Sequence, residues 1–128
     1  RGVLTAFSLL SGLYGLGLFV TPELLTAFWP WDVDAFHARI YASAFVTPAV
    51  GAWILSRRRG SASEHLTFGL NLIAGGILPI LGILWTNATV PADRQIQYDL
   101  GAWIFFAIFL FTAILGIGQI VLAMRKSK

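Results

Sequence analysis

The chain has 128 residues, of which 57% are hydrophobic and only 12% charged, with nine Lys or Arg against six Asp or Glu and a formal net charge of +3. So apolar a composition departs from the soluble norm, and the length allows one membrane domain over residues 1–128, without cysteine for disulfides, thiol chemistry or thiolate metal sites. It also excludes a wide solitary channel, which four short helices cannot line, and argues against an autonomous pump or ion-coupled carrier, since no Asp, Glu, Lys, Arg or His interrupts the apolar stretches.

The first uncharged stretch, Val3 to Val20, reads as a retained membrane helix and not a cleaved signal: its apolar run is too long for a signal core, and no small-x-small site follows. The chain opens on Arg1 instead of methionine, as expected if its natural start lies upstream. Thr21-Pro22-Glu23 has the order of a helix start, a hydroxyl, then a proline, then an acid at the positive helix end. With Leu24, Leu25, Phe28 and Trp29 as a greasy side, it predicts a short interfacial helix that Trp29-Pro30-Trp31 stops. Asp32 or Asp34 should then cap a helix rising through His37 and Arg39 into the second span, Ile40 to Leu55, with Pro48 as a kink.

Arg57-Arg58-Arg59-Gly60 suits a tight turn, and Ser61 to Glu64 has capping-box spacing for the third span, Leu66 to Trp85. Thr86 to Val90 reads as a short loop. Pro91 and Asp93 predict a last helix that begins outside the membrane and runs on through the fourth span, Leu100 to Met124. Each stretch is near the ~20 residues that cross ~30 Å of hydrocarbon. The expected fold is therefore all-α, an integral membrane four-helix bundle.

Charge is sorted by side. Arg1, Arg57, Arg58, Arg59, Arg125, Lys126 and Lys128 fall on one face, and Arg39 and Arg94 on the other. The positive-inside rule then puts both termini and the Arg57 to Arg59 turn in the cytoplasm. This accounts for the basic cluster with membrane lipids as its partner and without nucleic acid. On the opposite face, Asp32 or Asp34 with Arg39, and Asp93 with Arg94, are expected ion pairs.

In lipid, helices approach where residues are small, and buried polar side chains seek one another. Ser8, Gly12 and Gly15 on the first helix, with Thr5 and Ser11, are expected to meet Ser43, Thr47 and Gly51 on the second. Asn71 and Gln119 lie at matching depth on neighbouring antiparallel helices and are expected to pair or to share a small polar pocket. Trp29, Trp31 and Trp85, with Tyr41 and Tyr98, mark the outer boundary and Trp53 the inner one, as interface anchors.

Chemistry is sparsely marked. Asp34 and His37 stand at i, i+3, where an oxygen and an imidazole can converge on a metal, but carboxylates at a helix start ordinarily cap, and no metal is expected. His65, at a membrane boundary, is the candidate for a haem or chlorophyll ligand, with no second ligand in view. Asn87-Ala88-Thr89 fits a glycosylation acceptor. No phosphate-binding glycine loop, Ser-His-Asp set or zinc-protease motif occurs, so no enzyme is expected.

From Phe28-Trp29-Pro30-Trp31 through Ala38-Arg39 into a small-residue-rich span, the chain resembles a group of uncharacterised bacterial four-span membrane proteins with a Trp-Pro-Trp external loop. Its topology is similar to that of DoxX-like small membrane proteins. The resemblance implies a bacterial inner-membrane protein and supplies no catalytic residues. The leading expectation is a non-enzymatic accessory subunit of a larger membrane complex, respiratory or photosynthetic, with other membrane subunits as partners and no cofactor. The alternative is a small carrier or a lipid- or quinone-binding protein using Pro48, Pro79 and Gly75-Gly76, with bound lipid, quinone or pigment. A pocket at those residues favours the alternative, and tight packing there favours the first.

Overall fold

Each uncharged stretch becomes a helix longer than itself, because flanking polar residues complete the ends. The computed structural model describes residues 2–127, and all regular structure among them is helical: α1 (Gly2–Val20), α2 (Pro22–Leu25), α3 (Ala35–Arg57), α4 (Ala62–Thr89), a 3-10 turn (Ala92–Arg94) and α5 (Leu100–Lys126). Among them α1, α3, α4 and α5 are long and apolar enough to cross a membrane. Outward-facing Leu13, Leu78 and Ile114 leave the surface greasy, which suits hydrocarbon. Arg1 and Lys128, two of the basic residues sorted to one side, lie outside the described residues.

The caps fix where helices begin. The Asp34 carboxylate accepts from the amides of Phe36 (2.9 Å) and His37 (3.0 Å) at the head of α3. Ser61 Oγ accepts from the Glu64 amide at 3.2 Å while Glu64 Oε2 accepts from the Ser61 amide at 2.8 Å, a complete capping box for α4. Asp99 Oδ1 accepts from the Ala102 amide at 2.9 Å and starts α5.

Two expected elements come out differently. The interfacial helix is a single turn, and Thr21 does not cap it, because its hydroxyl donates back to the Gly17 carbonyl at 3.2 Å. The last helix does not begin at Pro91; α4 instead absorbs the expected 86–90 loop as far as Thr89. Asn87 explains this: its side-chain amide donates to the Ile96 carbonyl (2.9 Å) and its Oδ1 accepts from the Ile96 amide (2.8 Å), holding residues 90–96 in a non-helical return. Pro48 and Pro79 both lie inside continuous helices.

The four long helices form two antiparallel hairpins, α1 with α3 and α4 with α5. In the first, Ser8 Oγ donates to the Ala49 carbonyl (2.7 Å) and Ser11 Oγ to that of Phe45 (2.8 Å). A Cβ on Gly15 would stand 2.8 Å from Val46 and 3.0 Å from the Ala42 carbonyl, and one on Gly12 3.5 Å from Ala49. The face of α3 turned to α1 is thus Ala38, Ala42, Ala49 and Ala52, not Ser43, Thr47 and Gly51. The alanine row permits the closer approach, and α3 is rotated accordingly. Ser43 and Thr47 face away, and Gly51 packs on Phe68 of α4.

In the second hairpin Gly69 and Gly116 lie back to back. A Cβ on Gly69 would sit 2.7 Å from the Gly116 carbonyl, and one on Gly116 2.6 Å from the Gly69 carbonyl; Gly76 presses as closely on Phe109 and Ala113.

The hairpins meet at their two ends. At one, Leu115 of α5 packs on the cluster of Leu4, Ala52 and Leu55. At the other, Trp29 and Trp31 reach across to Phe105 with ring centroids 6.0 and 5.0 Å away, and the Phe28 carbonyl touches the bare face of Gly101. Between these ends the hairpins touch through Phe45 and Phe109, whose ring centroids lie 6.2 Å apart, and otherwise part.

Candidate functional site

The gap between the hairpins is a cleft of about 1360 Å³, walled by all four long helices and by the α2 segment. Its lining is predominantly aliphatic and aromatic, with Phe7, Phe45, Phe68 and Phe109 as the large rings. Pro48 and Gly75 lie in its wall. A Cβ on Gly75 would meet nothing within 4 Å, whereas Gly76, its neighbour, is closed against α5. The cleft therefore opens on one side of α4 only.

Polar groups recur halfway along the helices. Ser11 is at the middle of α1, Thr47 of α3 and Thr112 of α5, and Asn71 lies one turn from the centre of α4 towards Ala62; all four line the cleft. Most of their donors are already used. Ser11 donates to the Phe45 carbonyl, Thr112 to that of Ile108 at 2.9 Å, and Asn71 Nδ2 to that of Thr67 at 3.1 Å. These bonds, within the helix for Thr112 and Asn71 and across to α3 for Ser11, let a hydroxyl or amide reside in hydrocarbon while its oxygen remains an acceptor. Tyr14, also in the wall, donates to the Leu25 carbonyl (2.9 Å) and accepts from Trp29 Nε1–H (2.6 Å). Gly51, Phe68 and Asn71 also border a smaller recess of about 360 Å³ that leads to Arg58, Ser63 and Glu64, where Arg58 and Glu64 form an ion pair.

The expected pairing of Asn71 with Gln119 is replaced by another. Gln119 is only 4% exposed and its Oε1 accepts from His65 Nδ1 at 2.8 Å; His65 is itself 6% exposed. Lys126 Nζ lies 3.0 Å from His65 Nε2 and 2.5 Å from the Gly60 carbonyl, to which it donates. An ammonium has no lone pair, so Nε2 accepts and Nδ1 carries the hydrogen. Both imidazole nitrogens are occupied by protein groups, which leaves neither facing a cavity for a pigment metal. Gln119 pairs with His65 because both lie on the inner face of the α4–α5 hairpin, while Asn71, one helix face away, points into the cleft.

At the opposite end, Asp34 Oδ2 accepts from His37 Nδ1 at 2.5 Å while Oδ1 serves as the cap. These bonds hold the exposed Asp34 carboxyl below its ordinary range, the His37 backbone amide contributing most and the His37 ring next. Among the described residues no group of three or more His, Cys, Asp or Glu is placed to share a metal ion. The expected ion pairs with Arg39 and between Asp93 and Arg94 do not form among these residues; Arg39 Nε donates to the Phe19 carbonyl at 3.2 Å. Trp29 stacks on Tyr41 (5.6 Å) and meets Trp31 edge-on (5.5 Å), whereas Trp85 is 73% exposed. Arg57 covers the Trp53 ring at 3.9 Å.

The Ser11 bond across to α3 and the Gly69–Gly116 crossing each hold one hairpin together. The signal for the crossing was present in the seven-residue step from Gly69 to Gly76 opposite Gly116. No family model, curated protein or solved structure matches the chain.

Proposed function

We propose that this protein binds a lipid-class amphiphile, an acyl or isoprenoid chain, in the cleft between its two hairpins, as a small non-catalytic carrier or binding protein of the bacterial inner membrane. The cleft carries this reading: about 1360 Å³ of mainly apolar space, walled by Pro48 and Gly75, is of the size that holds a long-chain molecule. The basic residues gathered at the 57–60 turn and after α5 support an orientation with that end in the cytoplasm.

Purification in mild detergent followed by native mass spectrometry tests the reading. One co-purifying amphiphile is expected with the natural chain and its loss with Gly75→Leu, whose added side chain enters open space. Retention of the amphiphile by that variant, or its absence throughout, sinks the reading. Orientation is tested separately on this cysteine-free chain: an impermeant maleimide should label Ala88→Cys, and not Ser61→Cys, from outside intact cells.

A second reading, an accessory subunit of a larger assembly, is favoured by Gly82 and Gly118, over which nothing lies within 4 Å. Bare glycines on outer faces admit a neighbouring helix. Native gels of gently solubilised membranes distinguish it, with co-migrating subunits expected only under this reading.

A further inference from the structure

We infer that the cleft selects a neutral amphiphile bearing a hydroxyl donor, a long-chain or isoprenoid alcohol or phenol, over its ether, ester or carbonyl counterpart; this rests on the reading of the cleft as an amphiphile site. The argument is one of complementary partial charge. A proline has no N–H, so Pro48 and Pro79 supply no helical partner to the carbonyls of Ala44 and Gly75. Ala44, Pro48 and Gly75 all line the cleft, and a Cβ on Gly75 would meet nothing within 4 Å.

The surrounding side chains add more oxygen than hydrogen. Ser11, Ser43, Thr112 and one N–H of Asn71 have spent their donors on helix carbonyls. What they present is lone pairs, together with Asn71 Oδ1. Thr47 alone in this wall has a hydroxyl with no hydrogen bond among the described residues. An unmet acceptor in hydrocarbon is costly, and a ligand hydroxyl relieves it whereas an ether or carbonyl oxygen cannot. No Asp, Glu, Lys, Arg or His lines the cleft, so the matching ligand carries no charge.

The test uses the full chain in lipid nanodiscs with a diazirine-bearing long-chain alcohol, mapped by mass spectrometry, and competition by the unlabelled alcohol or its methyl ether. Labelling on α3 and α4 is expected, with the alcohol competing about five- to tenfold better than the ether, the worth of one hydrogen bond in such a setting. The double variant Pro48→Ala, Pro79→Ala returns an N–H to each carbonyl and should bring that ratio towards one while labelling persists. Thr47→Val, which leaves the backbone unchanged and removes the one unspent hydroxyl donor that an ether oxygen can accept from, should leave the ratio unchanged or raise it. Equal competition in the natural chain, or a preference that survives the double proline variant, overturns the selectivity and leaves the amphiphile site standing. Absence of labelling in the cleft removes both.

Discussion

His65 and Gln119, 54 positions apart, are joined inside the α4–α5 hairpin by a 2.8 Å hydrogen bond, and Lys126 closes the other side of the imidazole. Three residues from two helices thus form one line that ends on the Gly60 carbonyl. Gln119→Leu leaves a buried N–H without an acceptor and should cost about 1–3 kcal/mol in a denaturant titration in bicelles. A neutral result would show that water enters and replaces the amide.

The Gly69–Gly116 crossing is expected to be intolerant of side chains. Gly116→Leu would drive a branched chain into the α4 backbone, and a loss of about 2 kcal/mol or more is expected, with separated hairpins. Gly82→Leu and Gly118→Leu face open space and should be nearly neutral in the same titration. Equal losses at all three positions would contradict the packing.

The expectations met most closely were those decided locally. The caps at Asp34 and Ser61 and the number of long apolar helices follow from a few neighbouring residues and from hydrocarbon thickness, so they could be read from the chain. Which side of α3 meets α1 could not. Two small-residue faces compete on that helix, and the Ala38, Ala42, Ala49 row prevails only because Ser8 and Ser11 find carbonyls opposite it. The exchange of partners by Gln119 has the same origin: it packs beside Gly69, between His65 and Asn71 along α4, and helix rotation chose His65. The cleft was legible only as a question about Pro48 and Gly75. Its volume depends on how two hairpins lean together, which no local pattern encodes.

Asn87 predicts the behaviour of the loop before α5. Asn87→Leu removes both bonds to Ile96, and amide exchange at Ile96 should accelerate about tenfold, the equivalent of one hydrogen bond, with faster proteolysis between residues 90 and 96. The same engagement of Nδ2 opposes glycan transfer to the Asn87-Ala88-Thr89 acceptor, so expression in a eukaryotic secretory pathway should leave the chain's mass unchanged.

Asp34 gives the head of α3 a dependence on acid. Its carboxyl titrates below the ordinary 3.8, so the stability it adds is fully present above that value and is lost as pH falls through the lower, folded one. Circular dichroism melting between pH 2 and 6 should show this loss in the natural chain. Asp34→Asn keeps the cap geometry and should flatten the contribution. An unchanged acid profile in that variant would assign the dependence to another group.

Because α1 packs chiefly on α3, and α4 on α5, each pair is a unit that could enter the bilayer by itself, in two stages. Under the proposed orientation, the Arg57-Arg58-Arg59 segment between the pairs would act as a retention signal while the second pair is synthesised. On this account the cleft would form last, as the seam left when two finished halves come to rest against each other.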